Sequence, residues 1–260
     1  MITVLSPAKT LDYKNPPQTL MFTAPNRSQE SQTLIDILID KTSSDLQELM
    51  KISEKLADLN VARYQTFNLP FSPSNAKQAI LAFKGDVYKD LEVDLYSDED
   101  FEFAQLHVRI LSGLYGTLRP LDLMQPYRLE MGTKLLNEAG KNLYAFWGTK
   151  IADDLKNALE IQNDDIIVNL ASKEYFKSID KAALQARIID ITFLENKKGN
   201  YKIVTFFAKR ARGTMTNWIV RNRIDDPKDL STFAEDGYYF DEERSTEDHI
   251  FFLRDGKDAL

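Results

Sequence analysis

The chain has 260 residues, 43% of them apolar, a formal net charge of −7 and no cysteine. The missing thiols exclude a disulfide scaffold, a thiolate zinc site, an Fe–S cluster and a thiol redox sensor. The acidic balance argues against indiscriminate coating of DNA, and no apolar run is long enough to span a bilayer.

In chain order, Ile2–Leu5 reads as a short buried strand stopped by Pro7, too short and too soon broken for a signal peptide. A cytoplasmic protein is expected. Residues up to about 27 hold four prolines and read as a wrapping loop. Apolar spacing predicts helices over 31–50, 53–64 with Ser53 as N-cap, 75–83, 98–111 and 146–159. Strands are predicted over 166–170, 187–194 and 201–207, with a turn at 197–200 between the last two. A helix over 210–222 and a hairpin from 238–240 to 250–253 complete the chain. Glycine (10) and proline (9) are sparse, and no linker, repeat or low-complexity stretch interrupts the pattern. The reading is one compact mixed α/β (α+β) domain over residues 1–260, a central mixed sheet surrounded by helices.

Charge is segregated along the chain. Residues 196–224 carry Lys197, Lys198, Lys202, Lys209, Arg210, Arg212, Arg221 and Arg223 and no acid; without these eight charges the remainder stands at −15. On a helical wheel Ala211, Met215, Trp218 and Ile219 form an apolar stripe. Lys209, Arg212 and Arg223 flank one side of it, and Arg210 and Arg221 the other. Such a helix suits an anionic partner such as a nucleic acid or a phosphate. Pairing of these cations with the acidic remainder is the alternative.

Several constellations could carry chemistry. Ser6-Pro7-Ala8-Lys9 has the S-x-x-K spacing, in which a helical turn sets a lysine beside a serine nucleophile; its lactamase-type companions are absent. Gly113-Leu114-Tyr115-Gly116 reads as a helix C-cap sooner than as a backbone-clamping loop. Arg119 with Asp122, and Arg128 with Glu130, suggest a braced loop or the wall of a cleft. Asn169 to Tyr175 follows a predicted strand, where polar residues suit a site; capping by Ser172 is the alternative. His107, with Phe103 four residues before it, reads as a core histidine and His249 as an exposed one. Neither has the Glu-x-x-His spacing of di-iron sites, so no metal site and no cofactor is expected. Leu49-Met50-Lys51-Ile52-Ser53 resembles a helix-hairpin-helix linker without its usual glycines.

Ser6-Pro7-Ala8-Lys9 with Leu11-Asp12, and Phe83-Lys84-Gly85-Asp86-Val87-Tyr88, resemble the YaaA family of peroxide-stress resistance proteins. So does the run from Leu111 through Arg119-Pro120-Leu121-Asp122 to Gly132. Leu143-Tyr144 with Phe146-Trp147, Asn169 to Tyr175, and Lys209-Arg210-Ala211-Arg212-Gly213 with Met215 continue the pattern over nearly the whole chain. The resemblance implies an unusual fold and a cytoplasmic protein that limits unincorporated iron under hydrogen peroxide. It also implies binding of double-stranded DNA through a helix-hairpin-helix element and a positively charged cleft. On that reading Lys51, Ser53, Lys55, Lys209, Arg210, Arg212, Arg221 and Arg223 contact phosphates, and Arg119, Arg128, Asn169 and Ser172 line the cleft. The alternative is an enzyme acting on a nucleotide or nucleobase, with Ser6, Lys9 and Glu174 as reacting groups and a small phosphorylated ligand as partner. The sequence leaves the oligomeric state and the strand order open.

Overall fold

A computed structural model describes residues 1–256. In chain order it runs β1 (Ile2–Leu5), β2 (Thr10–Leu11), α1 (Ser28–Leu38), α2 (Ser43–Met50), α3 (Glu54–Gln65), β3 (Lys77–Gln78), α4 (Ala79–Ala82), β4 (Phe83–Lys84), α5 (Asp86–Lys89) and α6 (Asp98–His107). It continues with β5 (Val108–Ser112), β6 (Gly116–Leu118), β7 (Leu123–Met124), α7 (Leu143–Trp147), α8 (Lys150–Gln162), β8 (Ile166–Asn169), α9 (Lys173–Phe176) and α10 (Lys181–Leu184). The last elements are β9 (Arg187–Lys197), β10 (Asn200–Lys202), α11 (Thr205–Arg221), β11 (Tyr238–Phe240) and β12 (His249–Arg254).

Every residue of β1 is buried, so both faces of the strand are covered, the condition under which parallel strands occur. The main sheet has the order β11-β12-β9-β8-β1-β5-β6, with β10 folded back on β9. The run β12-β9-β8-β1-β5 is parallel throughout; β11, β6 and β10 add antiparallel edges. From β1 the chain reaches β5 on one side, then crosses to β8 on the other. β1 therefore marks a topological switch point, and a crevice is expected beyond the carboxyl ends of its neighbours. One contiguous apolar cluster extends from Met1 to Phe252. The architecture is the expected mixed α/β one.

Several expected elements are divided. The helix over 31–50 breaks between Leu38 and Ser43, because Thr42 and Asp45 form a capping box that starts α2. The helix over 75–83 shrinks to α4, since Lys77–Gln78 pairs with β7 and Phe83–Lys84 with β2. The helix over 98–111 ends at His107, and Val108–Ser112 becomes a strand because β1 needs a partner on that side. Gly148, at a φ of +48°, separates α7 from α8. The strand over 201–207 stops at Lys202, and α11 starts at Thr205, earlier than its apolar stripe indicates.

Other local expectations also change. Gly113 to Gly116 is the turn of the β5–β6 hairpin rather than a helix end. Gly116 has a φ of +69°, and a Cβ there would lie 2.6 Å from the Trp147 ring. His107 is buried as expected, with Nδ1 3.0 Å from the Met1 carbonyl. His249 is half-buried rather than exposed, bonded to the Thr192 hydroxyl at 2.8 Å and stacked on Phe251.

Candidate functional site

The carboxyl ends of β1 and β8 place Ser6 and Ser172 side by side. Ser6 Oγ accepts the Ser172 backbone N–H at 2.8 Å and lies 3.3 Å from Ser172 Oγ. Ser172 thus holds the N-cap position of α9 without capping it, and its backbone ties the two strand ends together. Tyr88 of α5 donates to the Ser6 carbonyl at 2.9 Å. At the end of β5, Ser112 Oγ pairs with the Tyr127 hydroxyl at 2.6 Å. Burial pushes the phenols of Tyr88, Tyr127 and Tyr175 well up, so all three stay neutral near pH 7.

A cleft of about 500 Å³ opens over these strand ends. Its lining includes Ser6, Lys9, Lys84, Tyr88, Tyr127, Arg128, Glu130, Ser172, Glu174, Tyr175, Lys209 and Arg212. With Asp86, the lining has five cations against three carboxylates, in an acidic chain. Glu130 bridges two of the cations, Lys9 Nζ at 2.7 Å and Arg128 at 3.0 Å. Residues 6–9 form no helical turn, and Lys9 is bonded to Glu130 rather than set as a base on Ser6. Glu174 Oε1 accepts the Gly132 N–H at 2.8 Å, and a Cβ on residue 132 would lie only 3.0 Å from that oxygen.

Helix α11 closes one side of the cleft because residue 213 is glycine. A Cβ there would sit 2.0 Å from the Val87 carbonyl oxygen of α5. The close approach brings Lys209 and Arg212 onto the cleft. Burial alone weakens Arg212's hold on its proton, with no carboxylate opposing that effect.

The remaining candidates lie elsewhere. Arg210 makes a two-pronged pair with Asp90 at 2.8 and 2.9 Å, and Arg223 bonds Asp100 at 2.7 Å. Arg221 reaches the Leu95 carbonyl at 3.4 Å. Arg119 is tied to Asp122 and the Ala24 carbonyl, bracing a loop away from the cleft. Asn169 joins β8 to β9 through Asp190 at 2.6 Å. Lys51, Ser53 and Lys55 are exposed at the turn of the α2–α3 hairpin. Lys51 itself takes the left-handed conformation (φ 54°, ψ 50°) that such a turn usually gives to glycine.

A family model described as peroxide stress protein YaaA matches residues 1–244. The chain belongs to this family. It is a peroxide stress response protein, and the match includes every residue of the cleft. No helix among the described residues is long and apolar enough to cross a membrane. Sequence reasoning did not single out Lys84, Tyr88, Tyr127, Tyr175 or Gly213 as site residues. Lys84 and Tyr88 lie in one of the strings that carry the resemblance, and Gly213 ends another. A glycine inside an amphipathic helix was the available signal for a close helix approach.

Proposed function

We propose that this peroxide stress protein acts in the cytoplasm by binding double-stranded DNA and so protecting it from oxidative damage. The observation that carries the reading is the α2–α3 turn. Lys51 supplies the left-handed residue, and Ser53 stands at the α3 N-cap with its hydroxyl making no capping bond. Lys55 follows one residue into the helix. A turn of this kind presents backbone N–H groups, a hydroxyl and two ammonium groups to a phosphate. Lys209 and the other cations of the cleft lining offer a second cationic surface. Phosphate contacts position a protein without specifying sequence, so sequence preference is weak. Limitation of unincorporated iron then follows indirectly from this protein's action.

Fluorescence anisotropy of a labelled duplex, titrated across a salt series, tests the reading. Wild type should bind with a steep salt slope. Lys51→Ala/Lys55→Ala should lose affinity and flatten the slope by about 0.9 per phosphate contact removed. Binding indifferent to salt, or unchanged in the double variant, would sink it.

One observation favours a second reading, an enzyme acting on a nucleotide or nucleobase. Ser6, Ser172, Glu174 and Arg128 meet at the carboxyl ends of parallel strands around a switch point, where α/β enzymes place their chemistry. Glu174 is then the acid or base. Glu174→Gln should abolish peroxide protection in cells while leaving the melting temperature near wild type; full protection by that variant removes this reading.

A further inference from the structure

The cleft lining contains two arginines whose Nε–H groups find no acceptor among the described residues. They are Arg128 and Arg212, and both Nε–H groups are buried. Both residues line the same cleft. Lys9 and Arg128 share the carboxylate of Glu130, and Lys84 pairs with Asp12 at 3.4 Å. Arg212 and Lys209 have no carboxylate partner among the described residues. A buried guanidinium N–H without an acceptor is costly, and the two residues that bear them line one cleft, where their terminal N–H groups can meet an acceptor that arrives from outside.

We infer that the cleft binds one phosphate monoester of nucleotide size, its oxygens held by Arg128 and Arg212 with Lys209 beside them. This inference rests on the cleft being a ligand site, and neither on a reaction there nor on duplex binding at the hairpin. The phosphate class follows from the donors. Guanidinium forks match tetrahedral oxyanions, and a dianion balances the uncompensated charge of Arg212 and Lys209. The size follows from the cleft volume of about 500 Å³, within the range of sites for compact organic ligands. The rest of the lining suits the body of such a ligand. Tyr88, Tyr127, Tyr175, Leu129 and Leu170 offer apolar and aromatic surface, and their neutral phenols add no negative charge.

Glu130 takes part as a competitor. Its carboxylate already occupies Lys9 and one arm of Arg128, the role an incoming phosphate oxygen would take. Removing that negative charge frees both cations for the ligand.

The same phosphate chemistry is offered by a free mononucleotide and by the 5′-phosphate of a DNA strand. Isothermal titration of the full chain with adenosine monophosphate, adenosine, a 5′-phosphorylated duplex and the same duplex without the phosphate separates the sources. The expected result is binding of the monophosphate and none of adenosine. Arg212→Gln should weaken it by about tenfold or more, the scale of one charge-assisted hydrogen bond. Glu130→Gln, with its fold checked by thermal melting, should tighten it several-fold, an outcome that a misfolded variant cannot produce. Preference for the phosphorylated duplex over its bare counterpart, lost in Arg212→Gln, also supports the site and identifies a strand end as the source. Equal binding of monophosphate and adenosine, or no response to any phosphate probe, overturns the inference. Binding of the bare duplex, sensitive to Lys51→Ala and not to Arg212→Gln, reports on the hairpin reading separately.

Discussion

The two shoulders of α11 carry the same charge and meet opposite circumstances. On one shoulder, Arg210 is clamped to Asp90 of the segment after α5. On the other, Lys209 and Arg212 face the cleft, and the Arg212 Nε–H has no acceptor among the described residues. Arg223, just past the end of the helix, is bonded to Asp100 of α6. A run of positive residues in a sequence is therefore not one positive surface. The acidic body neutralises the cations that dock against it and leaves unpaired the ones held over the strand ends. The difference lies in which elements α11 packs on, and Gly213 sets how closely it packs.

The comparison can be broken at Gly213. Gly213→Ala places a methyl against the Val87 carbonyl oxygen at 2.0 Å, which backbone cannot relieve cheaply. Although alanine is the better helix former, we predict a loss of about 2–3 kcal/mol in urea denaturation, together with loss of any cleft binding. Stability equal to wild type would mean that the close approach is not required.

A smaller effect is expected at the neutralised shoulder. Arg210→Ala should cost about 1 kcal/mol, because Asp90 loses a two-pronged partner while 43% exposure of the arginine side chain lets solvent screen the pair. Duplex and phosphate binding should stay at wild-type levels. A drop in binding comparable to that of a cleft variant would return Arg210 to the contact surface.

Acid should loosen the docking of α11 on α6. The Arg223 guanidinium lies over the Phe103 ring, which stacks on His107 at 4.0 Å. Burial lowers the His107 pKa below its ordinary value of 6.5, with the hydrogen bond to the Met1 carbonyl and the nearby Asp225 carboxylate opposing it. The unfolded chain thus binds this proton more readily than the fold does. His107 contributes fully above pH 6.5, and that contribution is lost as the pH falls below it. Melting temperature should decline from pH 7.5 to 5.5, and His107→Gln should flatten that part of the curve. A decline of the same slope in the variant would assign it to other groups.

The smallest stability effect is expected at the unpaired shoulder. Lys209→Ala should change stability by no more than about 0.5 kcal/mol, since the side chain is exposed. Its effect belongs in binding, as a duplex salt slope reduced by about 0.9. Stability lost without a change in slope would invert the comparison.

Much of the fold was legible in sequence. β1, β8, β9, the β9–β10 turn and the β11–β12 hairpin follow from short apolar runs between turn residues, which specify strands locally. The apolar stripe of α11 follows from its period. The family followed from long strings of matching residues, and with them came Ser6, Lys9, Arg128, Ser172, Glu174, Lys209 and Arg212, all of which line one cleft.

Tertiary structure decided the rest. Val108–Ser112 continues the helical spacing of α6 yet becomes a strand, because pairing along buried β1 outweighs a weak local preference. Arg119, Asn169, Arg210 and Arg223 belong to the same strings as the cleft residues or lie beside them, yet they brace the fold through Asp122, Asp190, Asp90 and Asp100. Local spacing fixes which face of an element a side chain occupies. Only the packing of elements distant in sequence fixes whether a carboxylate or an open cleft lies opposite it.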